Sequence, residues 1–226
     1  MSHPVGVSTR EFPDRIQADR TDYRHSSLSF ADLDGDPMAM FDRWFGEAVA
    51  AGLREPNAMT LATVGEDGAP DARIVLLRGA EREGFQFFTN YDSKKGRDLA
   101  ARPQAALVLF WRELERQIRI RGQVAQLDRV RSEVYFSTRP RTSQLGAWLS
   151  QQSSEAPAEA DFQAEIGALD ARFAGGPVPL PPRWGGYHLT PVELEFWQGR
   201  PSRLHDRFLY RRRRAESGWD IVRLYP

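Results

Sequence analysis

Ala58-Met59-Thr60-Leu61-Ala62-Thr63-Val64, then Gly65-Glu66-Asp67-Gly68, then Ala72-Arg73-Ile74-Val75-Leu76-Leu77-Arg78 read as strand, turn and strand. β-branched and aliphatic residues dominate both runs, and the Gly-bounded acidic turn between them makes the pair a hairpin. Strand-like runs continue at Phe85 to Thr89, Ala105 to Trp111 and Gln117 to Arg121. Three more close the chain, Val192 to Trp197, Arg207 to Arg213 and Trp219 to Leu224, the last two joined around Glu216-Ser217-Gly218. So many short strands predict a barrel or a curled sheet.

Helices are expected around it. Asp36 is a natural N-cap, Pro37 fits the first helical position, and Met40, Phe41, Trp44, Phe45 and Ala48 share one face of a helix to about Ala51. Lys94 to Ala101, Asp128 to Thr138, Thr142 to Ser150 and Ala158 to Phe173 also read as helices, and Pro177 to Pro182 as a connector. Residues 1–22 are polar and aperiodic and read as a mobile arm, leaving 23–226 as one domain.

The 226 residues are 41% hydrophobic, enough for a sizeable core. Thirty-one basic residues balance thirty-one acidic ones, so no global field draws the chain to nucleic acid or to a membrane. The run Arg211 to Arg214 reads as a charged strand edge. Any anion must therefore be held locally. Cysteine is absent and the four histidines are scattered, which argues against disulfides, thiolate chemistry and a metal centre. No apolar stretch approaches ~20 residues, and the start lacks a signal peptide's apolar core, so a cytoplasmic location is expected.

Two clusters are candidates for holding an anion. Arg73, Arg78, Thr89, Ser93, Lys94 and Lys95 surround the early strands, and the only two lysines stand at a helix start, where free N–H groups favour anions. A solvated helix end would look the same. Tyr135, Arg139, Arg141, Thr142 and Ser143 crowd the junction of two helices, either as a phosphate grip or as an ordinary interhelical turn.

Leu194-Glu195-Phe196-Trp197-Gln198 followed by Arg203-Leu204-His205-Asp206-Arg207 resembles the C-terminal signature of the pyridoxamine 5'-phosphate oxidases. Arg73 to Leu77, Thr89-Asn90, Ser93 to Lys95, Leu114 to Gln117, Ser137 to Pro140, Ser143 to Trp148 and Trp184 to Gly186 resemble further blocks of that family, in its order. The resemblance implies an α+β, mainly β fold: an FMN-binding split β-barrel with surrounding helices. It implies a homodimer with FMN at the subunit interface and a C-terminal dimerisation region. FMN would contact Arg73, Ile74, Val75, Leu76, Leu77, Arg78, Phe88, Thr89, Lys94, Lys95, Gln117, Gln152, Ser153, Trp197 and Arg207. The substrate would contact Arg78, Tyr135, Arg139, Ser143, Arg203, Leu204 and His205, with Arg20 and Tyr23 as a lid and Arg203 and His205 as the catalytic pair.

The implied reaction is oxidation of pyridoxine or pyridoxamine 5'-phosphate to pyridoxal 5'-phosphate, by hydride transfer to the flavin and reoxidation by O2 to H2O2. A flavin needs no metal or covalent side chain, which suits this composition. Arg78 stands where the family usually has lysine, and Phe88 where tyrosine is common. Rival readings are a phenazine-pathway-type flavin oxidase acting on a ring without phosphate, and a non-catalytic split barrel that binds flavin or pyridoxal 5'-phosphate.

Overall fold

The computed structural model describes residue 23 and residues 26–213 and 218–226. The arm at 1–22, with Arg20 of the expected lid, and the turn at Glu216-Ser217 lie outside the described residues.

Among the described residues nine strands form one antiparallel sheet. β1 (Ala58–Val64) and β2 (Pro70–Leu76) make the expected hairpin, and β3 (Gly79–Glu81) and β4 (Gly84–Asn90) a second one. β5 (Gln104–Trp111), β6 (Arg116–Gln126), β7 (Trp184–Gln198), β8 (Asp206–Arg212) and β9 (Trp219–Arg223) complete it. The order runs β2-β1-β5-β6-β7-β4-β3, with β8 and β9 continuing from β7.

β7 shapes the barrel. β6 pairs with it from Tyr187 to Gln198, whereas β4 pairs only with Trp184–Leu189 and β8 only with Glu193–Gln198. The sheet therefore forks, one branch leaving through β4 and β3, the other through β8 and β9. At the fork the β6–β7 register shifts between Arg121 and Gly122: Arg121 faces Glu193 and Gly122 faces Pro191, leaving Val192 as the extra residue of a bulge. This is the split β-barrel expected, mainly β with five α-helices among the described residues.

Inward-facing residues fill the barrel. Leu61, Leu107, Leu109, Ile118, Ile120, Phe85, Phe87, Leu194, Phe196 and Phe208 are fully buried. Helix α1 (Pro37–Ala50) plugs one end, its Asp36 cap accepting from Met38 N–H at 3.0 Å. Phe41 meets Phe85 edge-on at 4.9 Å and Trp44 meets Phe196 at 5.3 Å. A second core joins α3 (Arg129–Ser137) and α4 (Arg141–Leu149) to the proline-rich connector through Phe136, Leu145, Val178, Leu180 and Trp184. Helix α2 (Lys94–Ala101) follows β4, and α5 (Phe162–Arg172) packs on α4.

The strand read as Ala72 to Arg78 ends at Leu76, and the helix read from Ala158 starts at Phe162. Ala158 to Ala160 are good helix formers, but Asp161 accepts from the N–H groups of Gln163 and Ala164 and so sets the start. The strand read from Val192 begins at Trp184, because Gly185, Gly186 and Pro191 continue the ladder. No helix among the described residues is long and apolar enough to cross a membrane.

Candidate active site

A cavity of about 680 Å³ opens between β2, β4, the start of α2, and the α3–α4 pair. Among the described residues four cations line it, Arg73, Arg78, Lys95 and Arg139, and no carboxylate does. In a chain of zero net charge, this is a local concentration of positive potential built to receive anions.

Ser93 caps α2, accepting from Gly96 N–H at 3.2 Å and donating to Asn90 O at 2.7 Å. Gly96 lies so close to the Tyr91 carbonyl that a Cβ there would fall 2.0 Å from its oxygen. The tight turn sets Lys95 inward, where Nζ donates to Gln152 Oε1 at 2.7 Å and lies 3.3 Å from Ser93 Oγ. Thr89 Oγ1 reaches the same Gln152 oxygen at 3.2 Å. Burial, reinforced by Arg73 and partly opposed by Asp71, pulls the Lys95 ammonium down to about 8. Arg73 is held flat, Nη1 donating to Thr63 Oγ1 at 2.7 Å and Nη2 to Asp71 at 2.5 Å.

At the opposite wall Tyr135 stacks on Phe88 with centroids 3.9 Å apart. The Arg78 guanidinium stands 5.8 Å from the Tyr135 ring, and that of Arg139 lies 4.6 Å from the Trp184 ring. Arg139 Nη1 is buried with no partner among the described residues, and burial lowers the affinity of this guanidinium for its proton. A buried N–H without an acceptor is costly, which marks this group as one to be explained. Ser143 lines the cavity beside it.

A second group of expected residues sits at the far end of β7. Gln117 faces Trp197, and Trp197 faces Arg207, across the β6–β7–β8 ladder. Arg207 Nε donates to the buried Glu195 at 2.7 Å and Nη1 to Tyr225 O at 3.0 Å, while Arg119 holds the other Glu195 oxygen at 3.0 Å. His205 packs on Trp197 at 4.5 Å, and Tyr23 meets both rings at 5.7 Å. Leu204 and His205 line a separate cavity of about 570 Å³ with Arg223, Leu224, Tyr225 and Pro226. Arg203 is exposed, with φ of 62° following φ of 57° at Ser202, a strained backbone for non-glycine residues.

The expected site residues thus fall into two sets. Arg73, Ile74, Val75, Leu76, Arg78, Phe88, Thr89, Lys95, Tyr135, Arg139, Ser143 and Gln152 share the large cavity. Gln117, Trp197, Arg203, Leu204, His205 and Arg207 line none of it. Leu77 is buried in the core, Ser153 lines an adjoining cavity of about 510 Å³, and Lys94 turns to Asp98 at 3.3 Å and Asp71 at 3.5 Å. Asn90, Gly146, Ala147, Ser150 and Trp184 line the large cavity without having been assigned a role. Asn90 Nδ2 donates to Ser150 O at 3.0 Å, and its place beside Thr89 was the available signal. Among the described residues no cluster of three or more metal-ligating side chains exists.

Comparison with known proteins addresses the same regions. Residues 45–171 match the family model described as pyridoxamine 5'-phosphate oxidase, and residues 184–226 the model of the pyridoxine 5'-phosphate oxidase C-terminal dimerisation region. The chain is 55% identical over 208 residues to the pyridoxine/pyridoxamine 5'-phosphate oxidase of Burkholderia lata, covering 92% of this chain and 97% of that one. It is 53% identical, over the same shares, to the protein of that name from Burkholderia mallei. Among solved structures, PhzG from Burkholderia lata, in complex with tetrahydrophenazine-1-carboxylic acid, superposes with a TM-score of 0.83 at 32% identity, over 90% of this chain and all of that one. A pyridoxamine 5'-phosphate oxidase-related, FMN binding protein from Nostoc punctiforme shares the fold, with a TM-score of 0.64 at 18% identity over 82% of this chain and 97% of that one.

Proposed function

Because this chain belongs to the pyridoxamine 5'-phosphate oxidase family, we propose that it binds FMN and oxidises pyridoxine and pyridoxamine 5'-phosphates to pyridoxal 5'-phosphate. The observation that carries this reading is the large cavity, with four cations and no carboxylate in its lining. One phosphate would sit against Arg73, Thr89, Lys95 and Gln152, and a second against Arg78, Tyr135, Arg139 and Ser143. The unpartnered Nη1 of Arg139 supports the second. FMN supplies a two-electron acceptor that O2 reoxidises, with release of H2O2.

The residues at the far end of β7 would reach this cavity from a second copy of the chain. Ile74 and Phe110 are 66% and 52% exposed, apolar side chains of the kind a partner covers. In the dimer, Gln117, Trp197 and Arg207 of one copy would close over the flavin held by the other. Arg203 and His205 would meet the substrate, Arg203 orienting it and stabilising developing charge. Residues 23–226 would act as one domain, dimerising through the C-terminal region.

A second reading, oxidation of a ring compound without phosphate, draws on the similarity to PhzG. Tyr135, Arg139 and Ser143 favour the phosphorylated substrate. Anaerobic addition of each B6 phosphate to the purified chain, then air, tests both. Flavin bleaching that recovers with pyridoxal 5'-phosphate formed supports the proposal, and a bound flavin that never bleaches refutes it.

A further inference from the structure

His205 closes a short loop on its own backbone. The main-chain N–H of Arg200 donates to His205 Nδ1 at 3.1 Å. Between them the chain turns through Ser202 and Arg203 at positive φ, and Leu204 N–H donates to Pro201 O at 3.1 Å. Such strain persists where surrounding contacts over-determine the conformation. Those contacts are present: the ring packs on Trp197 and Tyr23, Arg200 Nη1 donates to Ser26 O at 3.0 Å, and Arg200 Nε lies 3.4 Å from Asp206.

A main-chain N–H can only donate, so the ring nitrogen facing it must present a lone pair. With Nδ1 as acceptor, the one proton of the neutral ring sits on Nε2. An imidazolium, or the tautomer protonated at Nδ1, would set two hydrogens against each other. The charges around the ring act in the same direction. Burial lowers the His205 pKa from its usual 6.5, and Arg203 and Arg207 lower it further. Arg223 lines the same cavity, and Arg200 stands on the loop itself. Asp206 opposes them, and it is already engaged by Arg200, Arg223 and the N–H of Leu28. Tyr225 also lines the cavity.

We infer that His205 serves the proposed oxidation, on whose reading this role rests, as a neutral hydrogen-bond donor through Nε2 and not as the base that collects a proton. The ligand atom it recognises is then electron-rich, an anionic or carbonyl oxygen or a ring nitrogen with a free lone pair. Acting as a base would require the ring to move its proton to Nδ1 and to break the bond from Arg200.

The test is the tautomer itself, read by multiple-bond proton–nitrogen correlation on the full chain labelled with 15N-histidine, with the His205 signal assigned by its loss in His205→Gln. At pH 7 the expected pattern is a pyridine-like Nδ1 and a pyrrole-like Nε2. Protonation at Nδ1, or a charged ring at that pH, overturns the inference. Kinetics give an independent arm, because a glutamine amide falls near the position of Nε2 and an asparagine amide near that of Nδ1. His205→Gln is expected to retain at least about tenfold more kcat than His205→Asn, the worth of one hydrogen bond. Equal loss in both, or the reverse order, overturns the donor role. If the unsubstituted chain turns over no B6 phosphate, the oxidase reading fails, and the spectrum still decides the protonation of His205.

Discussion

Lys95 Nζ lies 2.7 Å from Gln152 Oε1, tying the start of helix α2 to the segment after α4 across the mouth of the large cavity. The amide neutralises no charge, so the ammonium stays dependent on a ligand for compensation. With its pKa near 8, Lys95 is charged and attracts an anion below that pH and is neutral above it. A bound phosphate favours the ammonium, so binding takes up a proton above pH 8. FMN affinity, measured by fluorescence quenching, is expected to be flat between about pH 7 and 7.5, where the FMN phosphate is a dianion. Above pH 8 it should weaken by up to about tenfold per pH unit. Lys95→Met should bind more weakly at pH 7 and remove the break in the profile. A wild-type profile without that break would refute the assignment.

Arg139 offers a buried Nη1 with no partner among the described residues. Arg139→Lys keeps the charge but loses the planar fork stacked on Trp184. Loss of one charge-assisted hydrogen bond predicts a KM for the phosphorylated substrate raised by about 10- to 100-fold, with a smaller change in kcat. An unchanged KM would show that the substrate phosphate lies elsewhere.

Glu195 is buried between Arg119 and Arg207. Glu195→Ala leaves Arg207 with only the Tyr225 carbonyl to hold it. Because Arg119 is half exposed, the expected loss is about 1–3 kcal/mol, below that of a fully buried pair. Chemical denaturation measures it, and Glu195→Gln should recover part of the loss.

Ile74 and Phe110 present exposed apolar side chains. Phe110→Asp, which leaves the lining of the large cavity untouched, should turn a dimer into a monomer in sedimentation and strip the flavin along with it. A flavin-loaded monomer would mean that one chain suffices for the site.

Gly122 stands at the bulge, where an added Cβ would fall 2.2 Å from the Thr190 carbonyl oxygen. Gly122→Ala should therefore destabilise the fold by about 1–3 kcal/mol through overpacking, read as a lowered thermal midpoint.

Much of this architecture was legible in the sequence because local rules and the tertiary fold agree. Ala58–Val64 and Lys94–Ala101 form where alternation and capping put them. β7 was legible only in part. Glycine carries no strand signal, yet Gly185 and Gly186 are what let Tyr91 and Leu127 press against the strand, contacts invisible to a local pattern. Pro191 is tolerated because it sits at the bulge, opposite Gly122. β3 spans three residues, too few for any period to show. In the site, resemblance identified residues of the large cavity, but spacing could not reveal that Asp71 and Asp98 draw Lys94 away from it. Nor could it show that His205 and Arg139 belong to separate cavities of one chain.

The sharing of β7 between β4 and β8 bears on how the chain is made. A nascent chain that has not yet passed Trp184 has synthesised β4 and β6 but lacks the strand that covers one edge of each. Those edges carry Phe85, Phe87, Ile118 and Ile120, the side chains most prone to pair with a stranger while they wait. Emergence of one late segment closes both edges, so chains released before it should accumulate as aggregates and not as folded intermediates.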